Sequence, residues 1–134
     1  MRVNVGDVVL AKYRNFDDEL VTAMFVVFYH ECDDILGSTN FLGIKIASNP
    51  RGFQVSILQD QLNHLDKDSY INCNRIFPLR EDKVEKIIGN LNVYYMNKLL
   101  QQVNNCIDRA KSQTAARYGE DNLFDNNKPQ IFKK

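Results

Sequence analysis

SYINCNRIFPLREDKVEKIIGNL, Ser69 to Leu91, is the stretch from which the rest of the chain is read. Tyr70, Ile71, Ile76 and Phe77 favour a pleated, half-buried surface, so its first part predicts a strand over Tyr70–Phe77. Pro78 predicts the end of that strand. Beyond the proline, Glu81 and Asp82 stand where a helix N-terminus favours negative charge, and Val84, Ile87 and Ile88 recur at helical spacing. Gly89 predicts the stop. The segment thus reads as a strand, a proline turn and a short charged helix.

Upstream, the pattern is of strands. Val5–Lys12 predicts a first strand, Arg14–Glu19 (RNFDDE) a polar hairpin loop, and Leu20–Tyr29 (LVTAMFVVFY) the longest β-favouring run. The run is continuously apolar, which predicts a central strand buried on both faces. His30–Asn40 predicts a turn, with Gly37, Ser38 and Asn40 as breakers. Phe41–Ala47 predicts a third strand, Asn49-Pro50-Arg51-Gly52 a tight turn, and Phe53–Leu58 a fourth strand. Gln59–Asp68 is a polar connection.

Downstream, the period changes. Met96, Leu100, Val103, Ile107 and Ala110 form one stripe of a long helix, with Asn92 as its N-cap. After about Arg117 the chain is polar, asparagine-rich and proline-containing. The organisation expected is a mainly β small barrel with C-terminal helices over residues 1–112, followed by a polar tail over 113–134.

With 134 residues and equal numbers of basic and acidic side chains, the chain is one domain without the net positive charge of a non-specific nucleic-acid binder. The charge is uneven: residues 1–60 hold five basic and eight acidic side chains, residues 61–134 twelve and nine. Cys32, Cys73 and Cys106 lack disulfide or zinc spacing, which predicts a reducing compartment and places Cys73 inside a strand as a small buried hydrophobe. MRVNVGDVVL reaches glycine and aspartate before any apolar stretch long enough for a signal peptide, and no run approaches a membrane span. A cytoplasmic protein without cofactor is expected. His30-Glu31-Cys32-Asp33-Asp34 contains metal-ligand types, but its spacing matches no site, and it reads as a solvated acidic loop.

Several motifs occur in an order that carries a resemblance. They are Gly6-Asp7-Val8-Val9-Leu10, the apolar second strand, Ile44-Lys45-Ile46-Ala47-Ser48-Asn49, Ser69-Tyr70-Ile71 followed by Asn74-Arg75-Ile76-Phe77, and Ile88-Gly89-Asn90-Leu91 before the final helix. Over roughly residues 4–110 the chain resembles the PemK/MazF family, toxins of toxin–antitoxin systems that cleave RNA without a metal. The resemblance implies an SH3-like barrel, a homodimer, and sequence-selective cleavage of single-stranded RNA. It also marks two departures. Where the family begins its second strand with Arg-Pro this chain has Thr22-Ala23, and where the family has Ile-Thr-Ser-Asn it has Ala47 at the threonine position.

Cleavage through a neighbouring 2′-hydroxyl needs a proton acceptor, a proton donor for the leaving oxygen, and a cation where phosphorane charge develops. Thr22 supplies no cation. Arg14 in the first loop and Arg51 in the later turn are the candidate replacements, with Ser48 and His30 as hydrogen-bonding or proton-transfer groups. Arginine in a turn is ordinarily just solvated, His30 reads equally as a strand-end surface histidine, and Ser48 can serve the Asn49-Pro50 turn. Lys12, Tyr13 and Thr22 are the candidate RNA-binding residues, Tyr13 through stacking.

The rival reading is a catalytically degenerate barrel, of phage or mobile-element type, that binds a protein such as an antitoxin. Its acidic Asp17-Asp18-Glu19 loop would repel RNA and suit a basic partner. Glu120-Asp121-Asn122-Leu123-Phe124 loosely resembles peptides that dock on replication clamps, a pattern that short sequences reach by chance.

Overall fold

The computed structural model describes residues 2–33 and 38–119. Six strands, β1 (Asp7–Arg14), β2 (Leu20–Asp33), β3 (Ser38–Ala47), β4 (Gln54–Ile57), β5 (Ser69–Arg80) and β6 (Val84–Asn90), precede one helix, α1 (Val93–Tyr118). They form a single antiparallel sheet in the order β4-β5-β3-β2-β1-β6. The mainly β expectation with a long C-terminal helix holds. As expected, β2 is central, and its Phe25, Val26 and Val27 are fully buried on alternating faces.

The helix expected after Pro78 is instead a single 3-10 turn at Glu81–Lys83 followed by β6. The β1–β6 ladder explains the misreading. It pairs Val8 with Gly89, Val9 with Ile87 and Ala11 with Val84, and shifts register twice, between Val8 and Val9 and between Leu10 and Ala11. Each bulge adds a residue and stretches a period of two toward three, so apolar residues at 84, 87 and 88 imitate a helical face. Gly89 ends nothing. It lies inside β6 where a Cβ would collide with the Leu62 carbonyl, and Asn90 N–H donates to that carbonyl at 2.9 Å. The Gln59–Asp68 connection is therefore docked on β6, built around a fully buried Asn63 whose Oδ1 accepts from Asp60 and Leu65 N–H.

Other boundaries differ as well: the first strand, expected at Val5–Lys12, is Asp7–Arg14, and the fourth, expected at Phe53–Leu58, is Gln54–Ile57. Pro78 does not stop β5: it pairs with Leu42 of β3, while β4 reaches only to Asn72, so no second neighbour needs its missing N–H. The turn expected over His30–Asn40 is shorter, since His30 pairs with Phe41, Glu31 with Asn40 and Asp33 with Ser38. Backbone pairing, which polar residues support as well as apolar ones, carries the hairpin past its apolar part.

Asn92 caps α1, its side chain accepting Tyr95 N–H at 2.9 Å. The helix rests on β4 and β5 through Leu99 and Val103, with Tyr95 and Met96 packed beside them. The expected stripe is rotated: Leu100 and Ile107 are 46% and 47% exposed and Ala110 is exposed, leaving Val103 and half-buried Met96 as its covered members. α1 continues to Tyr118, so Gln113–Tyr118 of the expected tail are helical. The Glu120–Phe124 motif lies outside the described residues, as do Asp34–Gly37.

Both faces of the sheet are buried. Val8, Val26 and Ile44, cross-strand partners in one row, join Ile71, Cys73, Leu99 and Val103 in a first cluster beneath α1. Val9, Ala11, Phe25, Val27, Phe41 and Leu79 form a second cluster on the other face, with Val84 and Ile87 against it.

Candidate functional site

The second cluster ends in an aromatic group. Tyr13 of β1, Phe25 of β2 and Phe77 of β5 pack with ring centroids 5.0 to 5.6 Å apart in edge and tilted arrangements. Lys45 stands on β3 directly opposite Phe25, and its Nζ donates to Tyr13 Oη at 2.9 Å. Tyr13, Arg14, Asn15, Phe16, Arg75 and Phe77 enclose a cleft of about 240 Å3 over this group. Its rim is braced: Asn15 Oδ1 accepts N–H from Asp17 and Glu19 at 3.0 Å each, and Asp18 takes a left-handed conformation at φ 61°. Phe16 is thereby held wholly in solvent.

Arg75 belongs to an irregular stretch of β5, where Ile44 of β3 faces Ile76 and Ile46 faces Ile71. This bulge re-aims the side chains between them. Among the described residues the half-buried Arg75 guanidinium has no hydrogen-bond or ion-pair partner.

The residues singled out from the sequence divide between the ends of the sheet. Lys12 and Thr22 are exposed cross-strand partners, and Ser48 follows β3 two residues beyond Ile46, the partner of Met24, so all three lie at one end. Tyr13 and Arg14 close the same end. Arg51 lies in an adjoining loop, its carbonyl accepting from Asn74 Nδ2 at 3.5 Å, next to Arg75. His30 does not join them. It is eight residues along β2 from Thr22, about 26 Å of extended strand, and pairs with Phe41 at the far end. There its Nε2 is buried 3.9 Å from Glu81 Oε1, and Glu81 also accepts the Val3 N–H. His30 is an inward-facing residue of a closed corner.

Two of the candidate cations are already engaged. Arg14 donates to the Asp18 carbonyl at 2.9 Å and lies 3.8 Å from its carboxylate, and Lys12 lies 3.4 Å from Glu85. These pairs are exposed and weak, so a phosphate can compete for either cation. Cys73 is buried as expected, and burial, with Cys106 beside it, pushes its thiol up to about 12. No group of three or more His, Cys, Asp or Glu residues capable of holding a metal ion occurs among the described residues.

The arrangement offers aromatic rings at the cleft, a phenol held by an ammonium, and guanidiniums that match phosphate geometry. Lys45, Arg75 and Phe77 had no site role in the sequence reading. The one available signal was Lys45 itself, a charge inside the apolar run Ile44-Lys45-Ile46.

No protein-family model matches the sequence, and no curated protein does. Solved structures do match. A mycobacterial endoribonuclease in complex with its cognate antitoxin superposes with a TM-score of 0.58 at 13% identity, covering 80% of this chain and 96% of that one. The Mycobacterium tuberculosis toxin MazF-mt6 superposes with a TM-score of 0.57 at 18% identity, covering 76% and 96%. No helix among the described residues is long and apolar enough to cross a membrane. With its six-stranded antiparallel sheet and long final helix, the chain has the fold of the PemK/MazF-type toxins.

Proposed function

We propose that this protein is a sequence-selective endoribonuclease that cleaves single-stranded RNA without a metal, working as a homodimer restrained by a protein antitoxin. The observation that carries the reading is the cleft at the end of the second cluster, where aromatic rings and Arg75, unpartnered among the described residues, share one opening. Bases stack on aromatic faces whatever their sequence, and a guanidinium without an internal partner is free for a phosphate. Arg75, rather than a residue at position 22, supplies the cation where phosphorane charge develops, with Arg14 beside it. The test is incubation of the purified protein with a long unstructured RNA in EDTA, followed by mapping of the ends. Discrete cuts that weaken in Arg75→Ala and again in the Arg14→Ala double variant are expected. Absence of cuts, or cuts indifferent to both changes, defeats the reading.

A second reading is favoured by the Arg14–Asp18 and Lys12–Glu85 pairs, which neutralise two candidate cations within the chain. A degenerate barrel that binds a basic protein through Asp17-Asp18-Glu19 would use such a surface. Affinity isolation from the native host separates the two: a stoichiometric protein without RNA supports the adaptor, and enriched RNA supports the nuclease.

A further inference from the structure

The geometry points to Tyr13 as the catalytic acid that protonates the leaving 5′-oxygen, with Lys45 as its positioning residue; the assignment rests on the RNA-cleavage reading above. An ammonium has donors only, so in the 2.9 Å contact the phenolic oxygen of Tyr13 is the acceptor. Its own proton is then left to point elsewhere. Phe25 packs against the ring edge-on at 5.5 Å and Phe77 in a tilted arrangement at 5.0 Å, fixing the plane in which the hydroxyl turns. Tyr13 also lines the cleft with Arg14 and Arg75, which makes that cleft the place where a substrate can take the proton. Packing alone gives no reason for Lys45. A half-buried lysine opposite Phe25 in an apolar strand loses hydration and side-chain freedom, and Tyr13 Oη is its hydrogen-bond partner.

In the reaction, the 2′-oxygen attacks phosphorus and the bond from phosphorus to the 5′-oxygen breaks, its electron pair going to that oxygen. Tyr13 delivers its proton there, giving a 5′-hydroxyl and a 2′,3′-cyclic phosphate. The 2′-hydroxyl proton leaves to solvent water, and the phenolate regains a proton from water. Lys45 stabilises the transient phenolate as a fixed positive charge, and Arg75 faces the phosphorane oxygens.

The experiment compares ordinary RNA with RNA carrying a 5′-bridging sulfur at the cleavage site, whose thiolate leaves without protonation. Tyr13→Phe, which keeps the ring and its packing, is expected to cut ordinary RNA about 100- to 10,000-fold more slowly than wild type and the sulfur-bridged RNA at nearly the wild-type rate. Lys45→Met is expected to lower kcat on ordinary RNA with KM little changed, and to recover on the sulfur-bridged RNA. If Tyr13→Phe cuts ordinary RNA normally, or loses both substrates equally, the assignment fails while the nuclease reading stands. Cleavage of neither substrate by the wild-type protein overturns both.

Discussion

The two apolar clusters occupy opposite faces of one sheet and differ in what lies at their margins. The first, beneath α1, is closed by Leu99 and Val103 and holds the buried Cys73 thiol. The second has no helix over it among the described residues and is rimmed with polar chemistry: Lys45 on Tyr13 at one end, His30 beside Glu81 at the other. Even those ends are unlike. At the His30 corner both side chains are at least 85% buried, and Glu81 holds the Val3 N–H, so the polar groups serve to pin the N-terminal segment. At the other end Tyr13 lines an open cleft. Polar groups at the margins of one cluster are thus sealed in at one end and set beside open space at the other.

Phe25 tests the contrast most severely. It is fully buried in the second cluster and touches both Tyr13 and Phe77. Phe25→Ala is expected to cost about 3–5 kcal/mol in urea unfolding and to abolish RNA binding at the cleft as well.

The next largest effect belongs to the first cluster. Burial lifts the Cys73 thiol from 9.0 to about 12, so the folded chain keeps a proton there that the unfolded chain loses. The associated stability is complete below about pH 9 and falls by about 1.4 kcal/mol per pH unit up to about pH 12, on the order of 4 kcal/mol in all. Urea midpoints measured from pH 8 upward are expected to fall more steeply in the wild type than in Cys73→Ala, and parallel curves would show the site is wetter than its burial implies.

At the closed corner, Glu81→Ala strands the Val3 N–H and removes the carboxylate facing His30. A loss of about 1–3 kcal/mol is expected, with RNA affinity unchanged; a fall in affinity would join the two ends that the geometry keeps apart. The smallest effect is at the cleft mouth. Asp18→Asn keeps a residue tolerant of the left-handed backbone and the carbonyl to which Arg14 donates, and removes the carboxylate that competes with a phosphate for the Arg14 charge. Stability is expected to change by less than about 1 kcal/mol, and the slope of log affinity against log salt to steepen by about one phosphate contact.

Much of this architecture is legible in the chain. The unbroken run Leu20–Tyr29 announces a strand buried on both faces, the Asn92 cap and the changed period announce α1, and the ordered motifs announce the toxin-like fold. The site was only partly legible. Tyr13 and Arg14 adjoin in sequence and both line the cleft, whereas Lys12 lies outside its lining and His30 ends an apolar run that continues as a strand and carries it to the opposite end.

Ser69–Leu91 shows where the division falls. That Tyr70–Phe77 is a strand follows from its residues alone, because side-chain shape and alternation are local properties. The sequence could not distinguish β6 from a helix at Val84–Asn90, since two bulges against β1 give a strand the spacing of a helical face. Nor could it bring Arg75 to Tyr13, or Lys45 to the phenol, because those contacts depend on register between strands far apart in the chain. Register is fixed when both faces of the sheet are buried at once, and only the folded protein imposes that condition.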